Sequence, residues 1–352
     1  MQAVLSDTSK FILVRDPILK TIRQVEDKIN RVVLKLKKLG MLSEEAYLSI
    51  HSSGSLPGIL YGLPKIHKIG NPLRPIFAAC GTPAYKLAKF LVPILTPITR
   101  NEYTIINSYH FAQELNSLTV PPNVYMTSFD VESLFTNIPL KETVDIAMHS
   151  LFHSVTHVLD MTSNYFRSLL ELSVTNSFFI FNDKFYRQTD GVGMGLPLGP
   201  TFANIFMCHH ESNWLDNCPL ESKPIFYRRY VDDCFLLFRK KSHAGRFLEF
   251  LSQQHRNIKF TMEEEKENTL PFLDVLVRHH GNQLATSVYR KPTFTGLGTS
   301  FFSFIPIAIK ASIVKAAVIR AFRLVSSYES FHQELCFLIS FFQTKRVSSA
   351  AF

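Results

Sequence analysis

Three aspartates are the residues of this sequence best suited to chemistry. Asp232 and Asp233 lie between two apolar runs, Ile225-Phe226-Tyr227-Arg228-Arg229-Tyr230 and Cys234-Phe235-Leu236-Leu237-Phe238, with only Val231 added between them. Two such runs so close together predict the strands of a hairpin, with the acidic pair at its turn. A third run, Val124-Tyr125-Met126-Thr127-Ser128-Phe129, ends in Asp130. Magnesium takes hard oxygen ligands, typically one or two protein carboxylates per ion, with substrate phosphates completing the shell. Two such ions suit nucleotidyl transfer: one activates the attacking 3′-hydroxyl, the other neutralises the triphosphate and the leaving pyrophosphate. Each feature also has a plainer reading. A strand-terminal Asp is often a turn residue or a helix N-cap. Charge flanked on both sides by apolar strands is costly to bury unpaired, however, and that favours a functional role for the set.

The elements that must position these groups follow from periodicity. Residues 17–50 set Ile22, Val25, Ile29, Val32, Val33 and Leu36 at helical spacing among basic positions, the pattern of an amphipathic helix. Ser52-Ser53-Gly54-Ser55 ends it, and the Pro- and Gly-punctuated stretch from Leu56 to Ile76 suits short extended segments and turns. Helical patterns fill 140–172, 200–215 and 307–325, while strands at 270–278 and 284–290 flank a turn at His279-His280-Gly281-Asn282. Helices mixed with antiparallel hairpins predict an α+β architecture.

Composition sets the class. With 46% hydrophobic and 19% charged residues the chain is globular rather than disordered, and its 352 residues allow about two to three subdomains. Lys and Arg outnumber Asp and Glu by 38 to 29, and the net +9 favours a polyanionic partner such as nucleic acid. The cysteines at 80, 208, 218, 234 and 336 form no CxxC pair and read as reduced thiols of an intracellular protein. Cys208-His209-His210 with Cys218 has metal-ligand chemistry, but the neighbouring Ile205-Phe206-Met207 favours a buried helix. The start, Met1 to Asp7, lacks the basic-then-apolar pattern of a signal peptide. The most apolar runs, Phe301 to Ile309 and Leu335 to Phe342, fall far short of the roughly 20 residues of a membrane span, so no membrane partner is expected.

Six blocks in order carry a resemblance. They are Leu60-Tyr61-Gly62-Leu63-Pro64-Lys65-Ile66-His67-Lys68 with Pro72-Leu73-Arg74-Pro75-Ile76; Ser128-Phe129-Asp130-Val131-Glu132-Ser133-Leu134-Phe135-Thr136-Asn137-Ile138-Pro139; and Asp190-Gly191-Val192-Gly193-Met194-Gly195-Leu196-Pro197-Leu198-Gly199-Pro200 with Ala203 to Met207. Arg229-Tyr230-Val231-Asp232-Asp233, Leu270-Pro271-Phe272-Leu273-Asp274 and Val288-Tyr289-Arg290-Lys291-Pro292-Thr293 follow. From Ile22 to Lys345 the chain resembles reverse transcriptases, and within them the Penelope-like retroelement family.

The resemblance implies an α+β right-hand polymerase with fingers, palm and thumb and an antiparallel palm sheet. Its expected parts are an N-terminal helical segment at 1–50, fingers at 51–123, a palm at 124–292 with a helical insertion at about 140–190, and a thumb at 293–352. The implied activity is RNA-directed DNA polymerisation: an RNA template, a DNA primer extended from its 3′-OH, and dNTPs. Asp130, Asp232 and Asp233 would be catalytic, with Asp130, Asp232 and the Val131 carbonyl holding two Mg2+ ions, Mn2+ being the alternative. Lys65 and Arg74 would neutralise the triphosphate. Phe135 would be the gate that excludes a 2′-hydroxyl, and Gly195 would let backbone approach the nascent base pair. An aromatic gate also argues against an RNA-dependent RNA polymerase.

Tyr289, Arg290 and Lys291 would grip the primer backbone. On the last predicted helix, Lys315, Arg320 and Arg323 share an arc of about 140°, opposite Ile309 and Ile313, as a helix lying on template–primer would. Leu196 departs from the family's small polar residue. Penelope-like elements also commonly carry a GIY-YIG endonuclease, for which the chain ending at Phe352 leaves no room; priming is then expected to use an existing 3′ end or an endonuclease in trans. The alternative reading is a catalytically silent remnant that binds nucleic acid. An intracellular, nuclear location is expected.

Overall fold

The computed structural model describes residues 1–66, 70–153 and 157–344. His67 and Lys68 of the first motif block, and the C-terminal 345–352, lie outside the described residues. Along the chain run β1 (Phe11–Leu13), α1 (Ile18–Lys38), α2 (Glu44–Ile50), β2 (Gly58–Pro64), β3 (Leu73–Ala78), α3 (Tyr85–Leu95) and α4 (Ser108–Ser117). Next come β4 (Tyr125–Val131), α5 (Leu140–Phe152), α6 (Ser163–Val174), β5 (Ser177–Phe181), β6 (Lys184–Gln188), α7 (Gly199–Asp216), β7 (Phe226–Tyr230) and β8 (Asp233–Phe238). The remainder is α8 (Lys241–Gln254), β9 (Phe260–Glu264), β10 (Thr269–Phe272), β11 (Val275–His280), β12 (Gln283–Val288), α9 (Ile307–Leu324) and α10 (Tyr328–Thr344). Helices mixed with antiparallel strands are the α+β class expected from periodicity. Two units divide these elements: Met1–Tyr103, Val131–Asn217 and Leu251–Lys259 in one, Thr104–Asp130, Cys218–Phe250 and Phe260–Phe352 in the other.

The first unit holds a five-stranded sheet in the order β1-β6-β5-β2-β3, antiparallel except where β2 runs parallel to β5. Its core is aromatic: Phe179 meets Phe11 and Phe77 edge-on, at centroid distances of 6.1 and 5.6 Å. The hairpin β5–β6 falls inside the stretch expected to be a helical insertion. Its two-residue turn, Asn182-Asp183, takes φ of 49° and 58°, the pattern that Asn and Asp adopt readily, so local turn chemistry overrides the helical surroundings. α1 buries Ile22, Val25, Ile29, Val33 and Leu36, and its side is fastened to the next loop by Asn30, which exchanges hydrogen bonds with the Ser52 backbone at 2.7 and 3.1 Å.

α7 carries a histidine that couples this unit to pH. His210 stacks on Trp214 and packs against Phe206 and His255, with its Nε2 2.8 Å from Glu142 of α5; His255 approaches the other Glu142 oxygen at 3.3 Å. Burial pushes the His210 pKa down despite the opposing pull of Glu142. The native state therefore binds fewer protons at this site than the unfolded chain. Its stabilising contribution is present above about pH 6.5 and is lost as pH falls through the lowered folded value. His210→Phe is expected to flatten the decline of Tm between pH 7.5 and 5, measured by thermal denaturation. An unchanged decline would place the titration elsewhere.

The second unit contains a four-stranded sheet, β9-β4-β8-β7, and a three-stranded meander, β10-β11-β12. Phe111 of α4 meets Phe235 and Phe272 at 5.1 and 5.0 Å, while Phe247 of α8 covers Phe129 and Phe238 on the opposite face. β8 is thus buried on both faces, which explains why Cys234 to Phe238 is continuously apolar rather than alternating. The expected strand 270–278 is in fact two strands: Phe272 pairs with Val275 around a tight turn in which Leu273 has φ of 55°. Pro271 is tolerated because β10 is an edge strand. α9 and α10 share a small core of Val314, Ala321, Leu338 and Phe342. Among the described residues no helix is long and apolar enough to cross a membrane.

Candidate active site

Strand register brings the aspartates together. β7 and β8 are joined by Val231-Asp232, with Tyr230 opposite Asp233, and β8 pairs with β4 so that Asp233 lies opposite Asp130. Directly opposed residues in an antiparallel pair hold their Cβ atoms roughly 4.5–5.5 Å apart on one face. Asp130, Asp232 and Asp233 are each half-buried. Among the described residues no group of three or more His, Cys, Asp or Glu side chains is arranged to hold a metal ion. What the register offers is the opposed pair Asp130 and Asp233 with Asp232 next in the turn. Carboxylate and backbone carbonyl oxygens of this kind suit magnesium or manganese rather than zinc. Val131, the last residue of β4, buries its side chain.

The turn itself is strained. Val231 has φ of 58°, a region that β-branched residues avoid at a cost of about 1–3 kcal/mol. Arg229 opposes that cost from within the sheet: fully buried, it donates from Nη1 to the Val231 carbonyl at 3.0 Å. Its own carbonyl accepts from the Ile105 amide at 2.8 Å. Sequence reasoning gave Arg229 no role; the available signal was a pair of adjacent arginines in a strand, one of which alternation must turn inward.

Phe135, Gly195, Lys65 and Arg74 belong to the first unit. Phe135 stands in a single helical turn, Leu134–Asn137, entered through Ser133 at φ of 51°. It is half-buried, and its carbonyl accepts from the Val192 amide at 2.7 Å. The loop 190–199 is pinned at its start and near its middle. A Cβ on Gly191 would lie 2.6 Å from the Thr136 carbonyl oxygen, and one on Gly195, whose φ is 112°, would lie 2.3 Å from that of Phe77. Phe77 also donates its amide to the Met194 carbonyl at 2.7 Å. Gly195 is thus required by β3, a partner that local sequence did not reveal. Leu196 packs with the Phe77–Phe179 core, so that core supplies an apolar setting for the larger side chain.

Gly195→Ala is expected to destabilise the protein by more than about 2 kcal/mol, because backbone strain and a clash with main chain combine. Gly54→Ala is the control, since Gly54 has φ of 69° but no heavy atom within 4 Å of the added methyl. Denaturant titration of both variants checks this, and equal losses would remove the Phe77 contact from the explanation.

Lys65 and Arg74 occupy one end of the hairpin β2–β3. Arg74 pairs with Leu63, and the Lys65 amide donates to the Pro72 carbonyl at 2.9 Å, so the period of two puts both cations on one face. Neither side chain forms an ion pair among the described residues.

At the end of β12 the three residues expected to grip the primer diverge. Arg290 is committed within the chain: it pairs with the buried Glu334 carboxylate in two-pronged fashion, one contact being 2.8 Å, and its guanidinium lies 3.8 Å from the Phe337 ring centroid. Tyr289 is half-buried and donates its amide to Asp274; Lys291 is exposed. The expected basic face of α9 is likewise divided. Arg320 pairs with Asp274 at 2.9 Å, Arg323 lies over Tyr109, and Ile309 and Ile313 are exposed rather than buried. Packing of Val314, Ala321 and Leu324 sets the rotation of this helix, which its weak amphipathicity left open.

The family profile of the reverse transcriptase (RNA-dependent DNA polymerase) matches residues 66–298, more than half of the chain. The chain belongs to the reverse transcriptase family. Residues 299–345, which include α9 and α10, match the animal helix-turn-helix domain. No curated protein matches. Solved structures similar to this reverse transcriptase include telomerase from Candida albicans in complex with a TWJ fragment of telomeric RNA, at TM-score 0.57 and 13% identity over 82% of this chain and 55% of that one. Apo telomerase from Candida tropicalis aligns at TM-score 0.56 and 11% identity, over 97% of this chain and 61% of that one. A sicinivirus 3Dpol RNA-dependent RNA polymerase aligns at TM-score 0.53 and 12% identity, over 87% and 67%. The fold is that of a right-hand polymerase. The chain spans a little over half the length of the telomerase chains it matches.

Proposed function

We propose that this reverse transcriptase is a Penelope-like RNA-directed DNA polymerase that extends a DNA primer from its 3′-OH by two-metal nucleotidyl transfer. The observation that carries the reading is the β4–β8 register, which sets Asp130 across from Asp233 with Asp232 in the adjoining turn. Like charges so opposed are destabilising, and a divalent cation reverses the sign of that interaction. Asp130 and Asp232, with the Val131 carbonyl, would hold two Mg2+ ions, Mn2+ being the alternative, and Asp233 would support them. Such ions, when bound, supply activation of the 3′-hydroxyl and neutralisation of the departing pyrophosphate.

The chain's own residues bind and orient. Lys65 and Arg74 attract the triphosphate from one face of their hairpin. Phe135 sits under the sugar and excludes the 2′-hydroxyl, while Gly195 keeps side-chain bulk away from the nascent pair. Lys291 and Tyr289 contact the primer backbone, and Arg290 positions them through Glu334 and Phe337. In domain terms, 51–123 would form the fingers, 124–292 the palm and 293–352 the thumb. The scattered free cysteines accord with intracellular, nuclear work.

Primer extension tests the reading. Purified protein is mixed with a DNA primer annealed to RNA, dNTPs and Mg2+ or Mn2+, and template-dependent dNTP incorporation is expected. No incorporation by well-folded protein in either metal would instead support a silent remnant that binds nucleic acid.

A further inference from the structure

α1 has a face for which catalysis has no use. Its buried residues centre on one side, and Lys20, Arg23, Lys28, Arg31, Lys35 and Lys38 are all exposed on the other. At 100° per residue these cations fall in an arc of about 140°, opposite the buried stripe, and they extend roughly 27 Å along the axis. Asp27 is the single acidic residue exposed among them. None of the six forms an ion pair among the described residues. Arg31 makes one helical-turn hydrogen bond to the Asp27 carbonyl, and Lys35 lies 5.5 Å over the Tyr165 ring. Six cations with only Asp27 among them leave a net positive stripe whose charges repel one another in the isolated protein, and a polyanion relieves that repulsion.

The surroundings of the stripe narrow the partner. A basic amphipathic helix gains much of its hold on an anionic membrane by inserting its apolar face, but here Ile22, Val25, Ile29, Val33 and Leu36 are used in the core, which leaves only the electrostatic part of that attraction. The stripe exposes no aromatic side chain, whereas single-stranded nucleic acid is held by stacking on aromatic platforms. Four lysines and two arginines along one helix face suit repeated phosphates, without base reading. Base-paired RNA presents its phosphates continuously and its base edges only in a shallow minor groove.

We propose that the exposed face of α1 is a docking surface for the phosphate backbone of base-paired RNA, holding the RNA independently of the catalytic aspartates. The choice of RNA over DNA rests on the RNA-directed activity proposed above; the binding itself does not require catalysis.

The test uses the full chain carrying Asp232→Ala, so that binding is read without extension. Anisotropy of a labelled blunt RNA hairpin is titrated from about 50 to 200 mM salt. Lys20→Gln/Lys28→Gln/Arg31→Gln/Lys38→Gln is expected to weaken binding at low salt by at least about tenfold. It should also reduce the slope of log K against log salt by about 3.6, at roughly 0.9 for each of the lost phosphate contacts. The paired variants Lys20→Gln/Lys38→Gln and Lys28→Gln/Arg31→Gln should each lose about half of that, which keeps the test informative if the quadruple variant misfolds. Lys184→Gln/Lys223→Gln/Lys240→Gln/Arg256→Gln, an equal charge change on other exposed cations, is the control. Unchanged binding by the α1 variants, or an equal loss in the control, overturns the proposal. So does an equal loss on unpaired RNA or on phosphatidylserine vesicles, because the surface would then be a general anion patch.

Discussion

Asp232→Ala is expected to lower dNTP incorporation on an RNA template by about 10³-fold or more, leaving the folded state intact. Metal ions supply several kcal/mol of charge stabilisation in phosphoryl chemistry, and each 1.36 kcal/mol is a factor of ten in rate. Asp232 occupies the turn rather than a ladder position, so removing its carboxylate leaves the Asp233 pairings with Tyr230 and Asp130 in place. The Val231 backbone is likewise still held by Arg229. Primer extension in Mg2+ and in Mn2+, with circular dichroism as the check on folding, measures the effect. Retained activity in a folded Asp232→Ala protein would remove this aspartate from the chemistry.

Phe135→Ala is expected to let the enzyme incorporate rNTPs, raising their use relative to dNTPs by roughly 10–100-fold. Overpacking a well-filled site costs typically 1–3 kcal/mol, and a 2′-hydroxyl pressed against an aromatic ring is a case of this kind. The competing role is that of one more core phenylalanine in a chain with 31 of them. Its burial separates the roles: Phe111, Phe129, Phe235 and Phe238 are fully buried, whereas Phe135 is only half-buried. The Val192 amide fixes the Phe135 backbone, so truncation removes the ring without freeing the turn. The measurement is single-nucleotide incorporation of matched dNTP and rNTP. A folded variant that uses dNTPs and still rejects rNTPs would show that another residue excludes the hydroxyl.

Much of the carboxylate hairpin was legible because it is local. Two apolar runs with Val231-Asp232 between them can close only as a tight turn, and the flanking residues identify the strands. The same holds for α1, whose buried and basic residues separate at helical spacing, and for α7, which begins with Gly199-Pro200. These features depend on neighbours a few positions apart, where periodicity of 2 or 3.6 residues carries the information.

What could not be read locally depended on partners distant in sequence. The pairing of Asp130 with Asp233 is a matter of register between separate segments, and a slip of one residue would have turned Asp130 to the other face. Gly195 needs its missing Cβ because of the Phe77 carbonyl, and Arg290 leaves the solvent because Glu334 and Phe337 receive it. α9 turned its isoleucines outward because Val314, Ala321 and Leu324 had the better packing. The sequence by itself determined which residues could do chemistry and which short elements bear them. The tertiary structure decided which of those residues meet, since side-chain pairing across a sheet or between helices is settled by burial and hydrogen bonding over the whole fold, and no local period records it.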